Sequence, residues 1–124
     1  MREIVAVILV LISTFGVVGG VAAYKSAGES GVIVVNAQAP ELGNWSPDVI
    51  EINKGEEVTL YIRNRDVVTH GFLLPSQDIL KREIKAGQVT EISFTFDEAG
   101  DYPFYCSAWC SDYHMQMRGV IRVR

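Results

Sequence analysis

The sequence is poor in the residue types that usually carry metal chemistry, with 2 cysteines, 2 histidines and 3 methionines among 124 residues. It contains no Cys-x-x-Cys-His motif, which excludes haem attachment through that motif. Basic residues do not dominate, since 11 Lys and Arg stand against 15 Asp and Glu, for a net charge of −4. An acidic chain is a poor match for nucleic acid, and its charge fits either a cationic partner or an ordinary acidic domain without such a partner. The chain also lacks internal repeats and low-complexity tracts.

Charged residues are absent from residues 4–24, an apolar run long enough to cross a bilayer as a helix. The run is longer than the core of a usual signal peptide, which favours a retained transmembrane anchor. The small residues Val21, Ala22 and Ala23 leave cleavage as a signal peptide open. Either alternative sends the remainder out of the cytoplasm. We expect the anchor or signal peptide over residues 1–24, a polar linker over residues 25–30 and one domain over residues 31–124.

The remainder of the chain predicts short β-strands separated by turns. The clearest strand is residues 57–63, where Val58, Leu60 and Ile62 alternate with polar side chains. Residues 77–84 fit either a weak strand or a single helical turn. The other predicted strands are residues 31–35, 48–52, 67–74, 90–96, 102–106 and 119–123. Seven or eight short strands at this spacing predict an all-β fold, a β-sandwich with Greek-key connections.

One stretch, CSAWCSDYHMQM at residues 106–117, holds both cysteines, one histidine and two methionines. In an extracytoplasmic domain a disulfide between Cys106 and Cys110 is the simplest interpretation. Such a bridge would stabilise the fold little, because it closes only a short loop. Thiolate, imidazole and thioether ligands together favour copper instead. Zinc accepts the first two but has little use for thioether sulfur, so Met117 favours copper.

A copper site in this stretch predicts a second histidine elsewhere in the chain. His70 is that histidine, and it stands in the run Thr69-His70-Gly71-Phe72. It lies where a predicted strand meets a glycine, a place where a sandwich can present a side chain at its end. Taken alone, His70 would be an ordinary buried or exposed histidine. Taken with the cluster at residues 106–117, it is a candidate ligand.

The pattern Cys-x3-Cys-x3-His-x2-Met, preceded by His-Gly-Phe, resembles the dinuclear CuA domain of cytochrome c oxidase subunit II and nitrous oxide reductase. The similarity covers residues 45–123 and implies a cupredoxin fold that holds two copper ions. Cys106 and Cys110 resemble the bridging thiolates of that domain. The other implied ligands are the terminal imidazoles of His70 and His114, the weak thioether of Met117 and the weak backbone carbonyl of Ala108.

Two departures from the oxidase pattern limit the resemblance. Many oxidase subunits have a glutamate at the position of Ala108, where it helps to hold magnesium, so we expect no magnesium site. The run from His114 to Met117 is more similar to the nitrous oxide reductase version. A single N-terminal span resembles subunit II of the smaller, B-type haem–copper oxidases.

We expect Met115 to pack in the interior and Trp109 to lie exposed.

The resemblance implies an electron-transfer subunit in the cell membrane, with a single span and its copper domain on the extracytoplasmic face. It would accept electrons from cytochrome c or a small copper protein and pass them to the haem-containing catalytic subunit of a terminal oxidase. The domain would be a relay and would not be catalytic alone. Two alternatives stay open, a mononuclear blue-copper carrier in which Cys106 is spare and a copper-delivery protein for oxidase assembly.

Overall fold

A computed structural model of the chain describes residue 4 and residues 31–124. Apart from residue 4, the predicted anchor and linker lie outside the described residues. In the described part no helix is long and apolar enough to cross a bilayer. The same part contains nine strands: β1 (Gly31–Ala37), β2 (Trp45–Ser46), β3 (Val49–Ile52), β4 (Glu57–Asn64), β5 (His70–Leu74), β6 (Ile79–Ile84), β7 (Val89–Thr95), β8 (Gly100–Tyr105) and β9 (Arg118–Val123).

The strands form two sheets, which confirms the predicted all-β sandwich. One sheet has four strands in the order β2-β1-β4-β7, and the other has five in the order β3-β9-β8-β5-β6. Strand β1 runs parallel to β4 and β3 runs parallel to β9, while the other neighbouring strands are antiparallel. Short 3-10 helices at Pro40–Leu42, Pro75–Gln77 and His114–Gln116 lie in the connections.

Alternating side chains form the core between the two sheets. The side chains of Val58, Leu60 and Ile62 are fully buried, as the period of two predicted. Within this core, the ring of Trp45 meets Phe72 and Phe104 edge-on, with centroids 5.8 and 5.4 Å apart. Aromatic burial of this kind contributes strongly to stability, and the same core cluster includes Cys106, Cys110 and Met117.

One predicted strand begins later in the structure, and one strand was not predicted. The strand predicted over residues 67–74 begins only at His70, because residues 65–69 form a loop held by side chains. The Oδ1 atom of Asn64 accepts a hydrogen bond from the backbone of Asp66, and Oδ1 of Asp66 accepts one from the backbone of Val67. Such local bonds compete with a β-ladder. The two-residue strand β2 is too short to give a sequence signal.

Candidate metal centre

The loop of residues 106–117 connects β8 to β9 at one end of the sandwich. Its two ends meet, since the backbone N–H of Cys106 donates a hydrogen bond of 3.1 Å to the carbonyl of Met117. Strand β5 runs antiparallel to β8, with Leu73 opposite Tyr105, so β5 begins at the end of the sandwich where the loop leaves β8. The first residue of β5, His70, has its Nδ1 atom 3.7 Å from Sγ of Cys106. The fold thereby joins the distant histidine to the loop.

The sulfur of Cys106 lies at the middle of the cluster. It is 4.0 Å from Sγ of Cys110, 3.7 Å from Nδ1 of His70 and 3.2 Å from the carbonyl oxygen of Ala108. One ligand atom each from His70, Cys106 and Cys110 lies within 4.8 Å of the other two, in a buried position.

The sulfur of Cys110 extends the cluster on its other side. It lies 3.5 Å from Nδ1 of His114 and 3.7 Å from Sδ of Met117. The six residues that the sequence singled out are thus brought together in one place. His70 and Met117 are almost completely buried, whereas His114 is half-buried.

Both cysteines are free. Their sulfur atoms are 4.0 Å apart, about twice the length of a disulfide bond. The structural disulfide considered from the sequence is therefore absent, and two adjacent buried thiols face the imidazoles. This arrangement suits a soft metal ion better than a structural cross-link.

Glycine is required at the position after His70. A Cβ atom on Gly71 would overlap the hydroxyl oxygen of Ser107 and lie 2.9 Å from the carbonyl oxygen of Lys81. The same glycine approaches the site so closely that its N–H donates a hydrogen bond of 3.5 Å to Sγ of Cys106. The backbone beside His70 therefore supports the thiolate directly.

The two thiols have opposite tendencies to ionise. Burial opposes ionisation of Cys106, but the adjacent His70 imidazole and the N–H of Gly71 outweigh it and lower the pKa of that thiol. Burial and the neighbouring Cys106 sulfur raise the pKa of Cys110 to about 12. Without metal, Cys106 is therefore the more readily ionised of the two thiols.

Sequence reasoning missed two residues that hold His70. Oδ2 of Asp66 lies 3.1 Å from Nε2 of His70, on the side of the ring away from Cys106. Asn64, which is fully buried, fixes the loop that carries Asp66 through 2.7 Å hydrogen bonds to the carbonyls of Val68 and Ile84. The sequence contained one signal for Asp66, a carboxylate four positions before the candidate ligand His70. Metal-binding histidines usually donate their second N–H to such a group.

The surface residues of the loop follow the sequence expectation only in part. Trp109 is exposed, as expected, and its ring lies 5.7 Å from that of His114. Met115 was expected to pack inside, but 81% of its surface is accessible. The 3-10 helix at His114–Gln116 explains the difference, because its tight turn directs Met115 outward while Met117 reaches the core.

The donor set fits copper. Ligands about 2.0–2.3 Å from a shared ion at tetrahedral angles lie about 3.3–3.8 Å from each other. The N···S and S···S separations of 3.5–4.0 Å around Cys106 and Cys110 are close to this range without rearrangement. Thiolate, imidazole and thioether are the soft and borderline ligands that copper prefers.

Comparison with known proteins gives the family. A family model described as a cupredoxin-like domain matches residues 5–123. The chain belongs to the cupredoxin-like family. This cupredoxin is 32% identical over 94 residues to nitrous-oxide reductase from Ralstonia nicotianae, covering 73% of this chain and 14% of that protein. It is also 32% identical over 80 residues to cytochrome c oxidase subunit 2 from Thermus thermophilus, covering 64% of this chain and 58% of that subunit.

A solved structure shows the same fold. The periplasmic domain of cytochrome oxidase subunit II from Bradyrhizobium japonicum superposes with a TM-score of 0.61 at 18% identity, covering 75% of this chain and 83% of that chain. At this identity the likeness concerns the fold alone. Since this cupredoxin spans less than two thirds of either curated relative, their activities as whole proteins do not transfer to it directly.

Proposed function

We propose that this cupredoxin is an electron-transfer protein with a dinuclear copper centre of the CuA type. The observation that carries the proposal is the central position of Cys106, whose sulfur lies within 4.0 Å of both Cys110 and His70. In a mononuclear site built on Cys110, this thiol would be spare. Its close approach to the other donors instead supports a role for both sulfurs as bridges.

The proposed ligand roles divide the site into two halves. Cys106 and Cys110 would supply the two thiolates, and His70 and His114 would supply the imidazoles, each with Nδ1 facing one of the sulfurs at 3.7 or 3.5 Å. The thioether of Met117 and the carbonyl of Ala108 would be weak ligands. When bound, two copper ions sharing the thiolates would accept and release one electron with little change in geometry.

The protein contributes rigidity and exclusion of water. Four of the proposed side-chain ligands, His70, Cys106, Cys110 and Met117, are buried, and the last three belong to the same core cluster as Trp45, Phe72 and Phe104. Burial and hydrogen bonds to the sulfurs set the potential of such a centre. All strong ligand positions are filled by side chains, so no open position for a substrate is implied and the domain acts as a relay.

The proposed partners follow from the relatives. Oxidase subunit 2 and nitrous-oxide reductase are among the similar proteins, and the similar Bradyrhizobium japonicum domain is periplasmic. We therefore propose an extracytoplasmic copper domain, anchored by residues 1–24, that receives electrons from a cytochrome c or a small copper protein. Its acceptor would be the haem-containing catalytic subunit of a terminal oxidase. The net charge of −4 favours a basic donor.

Copper loading of the full-length chain tests the proposal. We expect two copper ions per chain, a purple colour and an electron paramagnetic resonance spectrum with hyperfine splitting from two equivalent coppers. A Cys106→Ser variant is the control, because it keeps Cys110 and both histidines and should bind one copper. A wild-type chain that binds one copper and is blue or colourless would contradict the dinuclear centre.

A further inference from the structure

Asp66 is a buried carboxylate that belongs to none of the proposed ligands, and its side chain is 3% exposed. Every contact of its oxygens is accounted for within the fold. Oδ2 accepts a 2.8 Å hydrogen bond from the backbone of Ala39 and faces Nε2 of His70 at 3.1 Å, and Oδ1 accepts a 2.7 Å bond from the backbone of Val67. Burying a carboxylate costs free energy unless its oxygens have hydrogen-bond partners. The three contacts of Asp66 supply these partners, and one of the three is a proposed copper ligand.

The contact with Asp66 determines which nitrogen of His70 is available to the site. An ionised carboxylate only accepts hydrogen bonds, so Nε2 must carry the proton and donate. In the neutral imidazole that binds a metal, Nδ1 is then the bare nitrogen, and it is the atom that lies 3.7 Å from Sγ of Cys106. Because His70 is fully buried, solvent does not compete for Nε2.

The other imidazole is held differently. His114 is half-buried, and its ring lies against the exposed ring of Trp109, with centroids 5.7 Å apart. Among residues 31–124, no carboxylate lies within ion-pair distance of the His114 ring. The two terminal imidazoles therefore differ, since only His70 donates to a buried negative charge.

We propose that Asp66 is a positioning residue that fixes the tautomer of His70 and lowers the reduction potential of the copper centre. The inference rests on the proposed copper function. A carboxylate that accepts the second N–H of a ligating imidazole makes the ligand more basic and fixes its ring. Its negative charge also lies in a dry region, where it opposes the addition of an electron more strongly than an exposed charge would.

The first test compares two variants that each remove one negative charge. Asp66→Asn removes the buried charge, and Asp112→Asn removes an exposed charge from the loop of residues 106–117, here called the metal loop. In copper-loaded full-length protein, we expect a higher reduction potential for Asp66→Asn than for wild type, with the two-copper spectrum retained. Asp112→Asn should give a clearly smaller shift, since solvent screens an exposed carboxylate. Equal potentials in the two variants would overturn the inference.

A second measurement needs no variant and so does not depend on how well Asp66→Asn folds. In the reduced, diamagnetic copper-loaded wild type, we expect nuclear magnetic resonance to show the ring proton of His70 on Nε2. It should exchange with solvent much more slowly than the ring N–H of His114. A proton on Nδ1 of His70, or equally fast exchange at the two rings, would rule out the role of Asp66.

The two proposals fail in different ways. If the wild type does not bind two copper ions, the proposal of a dinuclear centre is wrong, and the role of Asp66 that rests on this centre is wrong with it. If the two-copper spectrum forms and the potential is unchanged by Asp66→Asn, the centre stands and the positioning role of Asp66 is wrong.

Discussion

The Sγ atom of Cys106 lies 3.7 Å from Nδ1 of His70, although 36 positions separate the two residues along the chain. The antiparallel pairing of β5 with β8 brings them together and places His70 beside the metal loop. A site of this kind is therefore sensitive to the backbone at the start of β5 as well as to the ligands themselves.

Replacing Gly71 with alanine should damage the site through the backbone. The new Cβ would overlap the Ser107 hydroxyl and crowd the carbonyls of Lys81 and Arg82, at 2.9 and 3.0 Å. We expect a loss of about 1–3 kcal/mol in the free energy of unfolding and weaker copper binding, measured by thermal unfolding and copper titration.

Gly31→Ala is the matched control for this substitution, because its Cβ would be crowded only by the flexible end of the Glu56 side chain, and its contact with Val58 at 4.0 Å is an ordinary one. The double variant Gly71→Ala, Ser107→Ala should recover part of the loss, since the hydroxyl is removed while the carbonyls remain. A Gly71→Ala protein as stable and as tightly metal-binding as wild type would show that β5 can shift without disturbing His70.

The two methionines of the loop offer a matched pair. Met117 is buried with its sulfur 3.7 Å from Cys110, whereas Met115 is exposed. Met117→Leu should raise the reduction potential and change the visible spectrum, because a weak electron-donating ligand is lost. Its cost in stability should stay below about 1.5 kcal/mol, since leucine is close to methionine in volume. Met115→Leu should leave both spectrum and potential unchanged, and a large effect there would contradict the assignment.

Oxidation of the metal-free protein should block the site. With their sulfurs 4.0 Å apart, Cys106 and Cys110 need a shift of about 2 Å to form a disulfide. We expect a mild oxidant to reduce the titratable thiols from two to none, to abolish copper binding and to be reversed by a reductant. Copper loaded beforehand should protect both thiols. Intermolecular dimers in place of the internal bridge would disprove this prediction.

Copper uptake should release protons and strengthen as pH rises. The pKa of Cys110 is raised to about 12, by burial first and then by the Cys106 sulfur, so this thiol is protonated at neutral pH. Binding as a thiolate displaces that proton, and protons therefore compete with copper throughout the range below pH 12. For one displaced proton, the apparent affinity should rise about tenfold per pH unit between pH 6 and 9.

Calorimetry in buffers of different ionisation enthalpy measures the number of protons released. The Cys110→Ser variant should release fewer protons than wild type. A copper affinity that does not change between pH 6 and 9 would mean that Cys110 is already ionised or does not bind the metal.

Much of this protein was determined by local sequence alone. The alternation at Val58, Leu60 and Ile62 predicted the buried face of β4, because side chains of a strand point to opposite faces in turn. The candidate ligands of the loop could be predicted for a similar reason, since five of the six lie within the twelve positions 106–117 and their spacing is a local property.

Tertiary structure decided what local sequence could not. The pairing of β5 with β8 brought His70 to the loop, and a long-range hydrogen bond from the backbone N–H of Ala39 holds Asp66 beside His70. The turn at His114–Gln116 sent Met115 outward and Met117 inward. These outcomes depend on which distant groups meet in the folded chain, and spacing along the sequence does not contain that information.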